Sequence, residues 1–157
     1  MKLKSRKLTG GQAAVKSLKK EQVKHVFGLI GSATMEMFDA LYHEKQIKFI
    51  DVRDERTGTH MADGYARASN QPGVIIAGQN GPGATNLVTG LAQAKAAFSP
   101  VVSLAGLYST KDKIEDAFQG LNQQSLFEPV TKKTITLKNS KNLSLIHISE
   151  PTRPPEI

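Results

Sequence analysis

Phe49-Ile-Asp-Val-Arg-Asp-Glu-Arg-Thr-Gly-Thr-His-Met-Ala-Asp-Gly-Tyr-Ala-Arg-Ala68 decides the fold. Phe49 to Val52 reads as a short buried strand. A turn of about two residues follows, a usual length for a strand-to-helix connection. A helix then starts near Glu55 and runs to about Ser69. Met61, Ala62, Tyr65 and Ala68 recur at helical spacing and mark its inward face. Glu55 falls where strand gives way to helix. In an open parallel sheet that edge is where ligands bind, so Glu55 is the candidate working acid of a site.

Outward from this stretch the same alternation repeats. Upstream, Thr9 is placed to cap a helix from about Gly10 to Lys20, with Ala13, Ala14, Val15 and Leu18 as its apolar side. His25 to Ile30 is a buried-strand candidate. Gly31 and Ser32 turn the chain, and Ser32 is placed to cap a helix showing Met35, Phe38, Leu41 and Tyr42 on one face. Lys48 to Val52 is the second strand. Downstream, Asn70 to Gly73 is a turn cluster and Val74 to Ala77 a third strand. Gly78 to Gly83 is a glycine-rich loop, and Ala84, Leu87, Val88, Leu91, Ala94 and Phe98 mark a long helix. Ser99-Pro100 stops it. Val101 to Ala105 is apolar on both faces, as a central parallel strand should be. Lys111 to Pro129 is less regular, with a short helix, and Thr131 to Leu137 reads as an edge strand.

Strands alternating with helices predict an α/β fold, an open parallel sheet with helices on both faces. The loops after all four strands then share one edge. That places Gly31, Glu55, the Gly81-Pro82-Gly83 turn and Gly106 along one rim. Three of these four positions are glycines, where backbone can approach a ligand closely. Residues 1–8 form a basic arm, 9–138 the domain, and 139–157 a tail whose prolines and lack of periodicity predict no packed structure.

Composition narrows the function. With 157 residues, 39% hydrophobic and 22% charged, the chain suits one globular domain. No cysteine is present, which removes disulfides and thiolate metal sites and suits a cytoplasmic protein. No apolar run approaches the roughly 18–20 residues of a membrane span, and the N-terminus lacks the apolar core of a secretion signal. The net charge of +7 gathers in Lys2 to Lys24 and Lys132 to Lys141 without interleaved aromatic residues, so neither a nucleic acid nor a membrane is an expected partner. His25, His43 and His60 are scattered, and no metal site is expected in this chain.

Two readings stand side by side at the key residues. A glutamate in a first helical turn complements the helix dipole and need do nothing more. In a dry crevice a carboxyl group can instead exchange protons near neutral pH. Gly81-Pro-Gly-Ala-Thr-Asn86 opens a helix whose bare N–H groups could hold an anion or a polar ring edge, or it is simply a tight turn. It is neither a P-loop nor a Gly-x-Gly-x-x-Gly fingerprint. Asp63, Tyr65 and Arg67 suit a structural network, and Phe118-Gln119 reads by default as a surface loop, one that could reach the same rim.

Several motifs in order carry a resemblance. They are Val26 to Gly31, Arg53-Asp-Glu-Arg56, His60-Met-Ala-Asp-Gly-Tyr-Ala-Arg-Ala68, Pro72-Gly-Val74, Gly81 to Gly90, Pro100-Val-Val102, Asp116-Ala-Phe-Gln119 and Pro129-Val-Thr-Lys132. From about Thr9 to Lys138 the chain resembles the N-terminal, pyrimidine-binding domain of thiamine-diphosphate enzymes. It is most similar to the acetolactate synthase group of 2-oxo acid decarboxylases and carboligases. The resemblance implies that Glu55 hydrogen-bonds a ring nitrogen of the cofactor's aminopyrimidine, favouring the tautomer that takes the proton from the thiazolium carbon. It implies that Gly31, Gly81, Pro82, Gly83 and Asn86 line the cofactor, and that Phe118 and Gln119 reach toward a small 2-oxo acid. It implies a homodimer or homotetramer formed through this domain. The diphosphate and Mg²⁺ are expected in a later domain whose Gly-Asp-Gly and Asn-Asn marks are absent from this chain, and FAD is possible in a full-length enzyme.

The pattern also departs from the family. Asp54-Glu55-Arg56 stands where His-Glu-Gln is usual, and Gln79-Asn80 looks more like sulfoacetaldehyde acetyltransferases. The stretch Ser144 to Pro155 has no counterpart in the family and is expected to be an artefact of truncation or a linker. The chain is thus expected to be an N-terminal fragment, inactive alone. A stand-alone flavodoxin-like module that binds a nucleotide or regulates a partner is the rival reading.

Overall fold

The computed structural model describes residues 8–107 and 118–137. Four strands, β1 (His25–Gly28), β2 (Lys48–Asp51), β3 (Gly73–Ile76) and β4 (Val101–Leu104), form one sheet in the order β2-β1-β3-β4. All pairs are parallel, with Phe27 opposite both Ile50 and Ile75, and Ile75 opposite Ser103. The helices are α1 (Gly10–Lys20), α2 (Met35–His43), α3 (Glu55–Ser69), α4 (Pro82–Ala96) and the short α5 (Gln123–Phe127).

Side-chain alternation along the strands divides the core in two. Val26, Val74 and Ile76 point to one face, where Val15 and Leu18 of α1 and Phe38 and Leu41 of α2 pack. Phe27, Ile75 and Ala77 point to the other, under Ala62 of α3, Ala84, Leu87 and Leu91 of α4, and Phe127 of α5. The expected α/β fold with both faces covered is what the chain adopts.

The caps account for where helices begin. Thr9 and Gln12 form a reciprocal capping box at α1. Asp54 accepts from the Thr57 N–H at 3.1 Å and starts α3, so the residue that departs from the family pattern is a helix cap. Pro82 fills the first turn of α4, where its missing N–H costs nothing.

Several expectations are corrected. Ser32 caps no helix. It opens a single 3₁₀ turn, and its hydroxyl donates to Gln79 Oε1 at 3.0 Å. In α2, Phe38 and Leu41 are buried, whereas Met35 and Tyr42 (80% exposed) face outward. In α3 the buried residues are Glu55, Gly58, Thr59, Ala62, Asp63 and Ala66, while Met61 and Ala68 are exposed. Close approach explains this. A Cβ on Gly58 would stand 2.7 Å from Ile75 Cδ1, and one on Gly90 would stand 2.5 Å from Thr59 Cβ, so only small side chains fit between α3, the sheet and α4. Phe98 lies beyond α4, exposed and at φ 53°, where the chain turns toward Pro100. The central strands are β1 and β3. β4 lies at the edge of the described sheet, each of its residues partly exposed. Thr131 to Leu137 forms no strand. The Thr131 and Thr134 hydroxyls pair with each other at 2.8 Å, and Thr136 donates to Gln124. The short helix expected after Lys111 is α5. Asp116, the basic arm up to Lys7, the last domain residue Lys138 and the tail 139–157 lie outside the described residues.

Candidate active site

The strand order reverses between β1 and β3, and there the loops part at the carboxyl ends of the strands. Three of the expected rim positions converge at this point. Gly31 follows β1 so closely against the loop after β3 that a Cβ on it would stand 2.6 Å from Gly78 Cα. The Ala33 N–H donates to the Gly78 carbonyl at 3.2 Å, and buried Thr34 donates to the Ala77 carbonyl at 2.7 Å. Polar groups of the turn after β1 thus tie it to the end of β3.

Glu55 is the first residue of α3 and is 3% exposed. Asp54 sets its orientation by capping the helix one residue earlier. The carboxyl group accepts from the Gly78 N–H through Oε1 at 3.2 Å and from Asn86 Nδ2 through Oε2 at 3.1 Å. One donor comes from the loop after β3 and the other from the second turn of α4. A Cβ on Gly83 would stand 2.9 Å from Glu55 Oε1, so glycine at this position leaves space beside the carboxyl group. In the first turn of α3, Arg56 and Thr57 are exposed whereas Glu55 turns inward. That turn holds an acid inside the crevice.

Gly81 and Gly83 are buried and Pro82 is exposed at the head of α4. Gly81 is covered by Gln119, whose carbonyl oxygen would stand 2.6 Å from an added Cβ. Phe118 is 84% exposed, and its carbonyl accepts from Asn80 Nδ2 at 3.1 Å. Gln119 sits at φ 58° with its Oε1 buried and unpartnered among the described residues. Gly106 packs against Ala33, opposite the turn after β1. The rim residues are thus neighbours, and Phe118-Gln119 lies across the Gly81 turn.

Other candidates fall elsewhere. His60 is exposed on α3, His25 shares a 3.2 Å contact with the Tyr65 hydroxyl, and exposed His43 lies 3.9 Å from Asp39. No group of three His, Cys, Asp or Glu among the described residues converges as a metal site. Asp63 and Arg67 form the structural pair expected of them, at 2.8 Å, with Asp63 buried. No helix among the described residues is long and apolar enough to cross a membrane. Gln123 is the residue that sequence reasoning missed. It is buried, and its carboxamide bridges the loops after β3 and β4. No local pattern marked it.

The fold and rim define an α/β domain with a crevice at the carboxyl ends of a parallel sheet. Residues 8–126 match the family described as thiamine pyrophosphate enzyme, N-terminal TPP binding domain, and the chain belongs to that family. It is 43% identical over 136 residues to a probable acetolactate synthase large subunit of Methanocaldococcus jannaschii, covering 87% of this chain and 23% of that protein. It is 38% identical to the acetolactate synthase large subunit of Cyanidium caldarium, over 93% of this chain and 26% of that one. To the acetolactate synthase isozyme 3 large subunit of Escherichia coli it is also 38% identical, over 87% and 24%. The chain spans about a quarter of the length of these curated relatives. The likeness favours the acetolactate synthase group over the sulfoacetaldehyde acetyltransferase-like and stand-alone flavodoxin-like alternatives.

Proposed function

We propose that this chain is the part of an acetolactate synthase-like enzyme that receives the aminopyrimidine ring of thiamine diphosphate and activates the cofactor through Glu55. The observation that carries the proposal is a carboxyl group 3% exposed at the switch point, gripped by Gly78 N–H and Asn86. The residues fit the ring. Glu55 supplies the acid for a ring nitrogen, Gly83 leaves room beside that acid, and Gly31 and Gly81 carry no side chain into the crevice. When bound, thiamine diphosphate supplies the electron sink for decarboxylation of a 2-oxo acid. The chain's own part is to hold and share a proton at the Glu55 carboxyl. Burial removes water that would compete for that hydrogen bond. Gly78 and Asn86 fix the direction in which the carboxyl group points.

The same reading assigns the diphosphate and Mg²⁺ to a later domain outside this chain, with FAD possible in a separate middle domain of the full-length enzyme. It assigns the carboligase step to a small 2-oxo acid, and places the enzyme in the cytoplasm as a homodimer or homotetramer. Exposed apolar side chains at or near the rim, Ile30, Met35, Leu107 and Phe118, support coverage by another domain or subunit. The test is titration of the full-length gene product with thiamine diphosphate and Mg²⁺, followed by product analysis with pyruvate. Saturable binding and a carboligation product are expected, and absence of binding rejects the assignment. Glu55→Gln is expected to slow proton exchange at the thiazolium carbon by about 10²–10⁴-fold. Near-normal exchange in that variant rejects the role of Glu55.

A further inference from the structure

We propose that Gln123 is a positioning residue for the substrate side of the site. The proposal rests on the function argued above and extends it to a residue with no part in holding the cofactor ring. The Gln123 side chain donates from Nε2 to the Asn80 carbonyl at 2.7 Å and to the Gly106 carbonyl at 2.8 Å. Asn80 belongs to the loop after β3, Gly106 to the loop after β4, and Gln123 to the first turn of α5. All three residues are buried, Gln123 at 7% exposure. A single NH₂ group therefore spends both its hydrogens on two different loops.

The clasp has a second arm. Asn80 offers its carbonyl to Gln123 and its own Nδ2 to the Phe118 carbonyl at 3.1 Å. Phe118 and Gln119 precede α5 by only a few residues, and the Gln119 carbonyl lies against Gly81. Asn80 and Gln123 thus hold both ends of the segment from Phe118 to Gln123 onto the Gly81 turn. The left-handed backbone of Gln119, at φ 58°, is a conformation that a non-glycine residue keeps only when its surroundings impose it. Glu55 is held by Gly78 and Asn86, whereas Gln123 bonds to Asn80 and Gly106. The two parts of the site are held by separate bonds. Loosening Gln123 should therefore displace Phe118 and Gln119 and leave Glu55 in place.

Gln123→Met keeps the length and removes both donors. Gln123→Glu keeps the shape and presents acceptor oxygens to two buried carbonyls. In the full-length protein that carries this chain, both are expected to raise KM for pyruvate roughly ten- to a hundredfold, the effect of a small misplacement of positioning groups. The Kd for thiamine diphosphate is expected to stay within about twofold, because binding interactions with the cofactor are unchanged. An unchanged KM in either folded variant overturns the proposal, as does a cofactor Kd that rises in step with KM. If the wild-type protein binds no thiamine diphosphate, the proposed function fails by itself. The clasp is then decided by NMR on the 157-residue chain. The backbone amide heteronuclear NOEs of Phe118 and Gln119 should fall in Gln123→Met as the segment gains fast motion, and unchanged values overturn the clasp.

Discussion

Glu55 illustrates how a common residue becomes a special one. Its place in a first helical turn was legible from the sequence, because strand residues end at Asp51 and a capping Asp54 follows. Its burial was not, because the covering groups come from residues 23 and 31 positions later. The resemblance implies that Asn86 lines the cofactor, and the structure adds that its carboxamide donates to Glu55. Removing it should therefore act through the acid. Asn86→Ala is expected to lower stability by about 1 kcal/mol, the scale of one partly solvated hydrogen bond to a carboxyl group. Urea denaturation of the 157-residue chain measures it, and an unchanged midpoint would show that the bond contributes nothing.

Among the elements, α3 shows where periodicity misleads. Counting apolar side chains selects Met61 and Ala68, whereas the observed inner face is a stripe of small or short polar residues. Hydrophobicity sees a methionine as core, and packing against α4 demands side chains that scarcely project. Gly90→Ala drives a methyl group into Thr59 and is expected to cost about 1–3 kcal/mol in thermal or urea unfolding. On the opposite face, Lys19 of α1 reaches Glu44 at the end of α2 at 3.1 Å. The Gln46 backbone N–H, and next the Lys19 ammonium, hold the Glu44 carboxyl below its usual range. A folded-state value below the unfolded one gives stability that is present above the ordinary carboxylate range and lost as pH falls through the folded value. Wild type should exceed Glu44→Gln at neutral pH, with the gap closing in acid. Thermal melts across that range measure it, and a gap independent of pH would exclude the ionic contribution. Lys19 and Glu44 are solvent-accessible, so salt should narrow the gap as well.

For the whole molecule, the alternation of strands and helices fixed the fold class, but not the order of strands across the sheet. β4 reads as interior because it is apolar on both faces, yet in the described sheet it stands outside β3. A strand's neighbours are chosen by long-range pairing, which a local pattern does not encode. Gln123 escaped for the same reason, since its partners are 43 and 17 residues away. Native-state hydrogen exchange should reflect the observed order. Amides of β1 and β3 are expected to exchange most slowly and those of β2 and β4 sooner; equal protection across all four strands would contradict it. The switch in strand order has one more consequence, for synthesis on the ribosome. A nascent chain that has released only α1 through α3 already carries the acid, but neither the amide of residue 78 nor the carboxamide of residue 86 that grip it. The crevice comes into being only when β3 and the start of α4 emerge and dock, so cofactor capture has to wait for the chain to double back on itself.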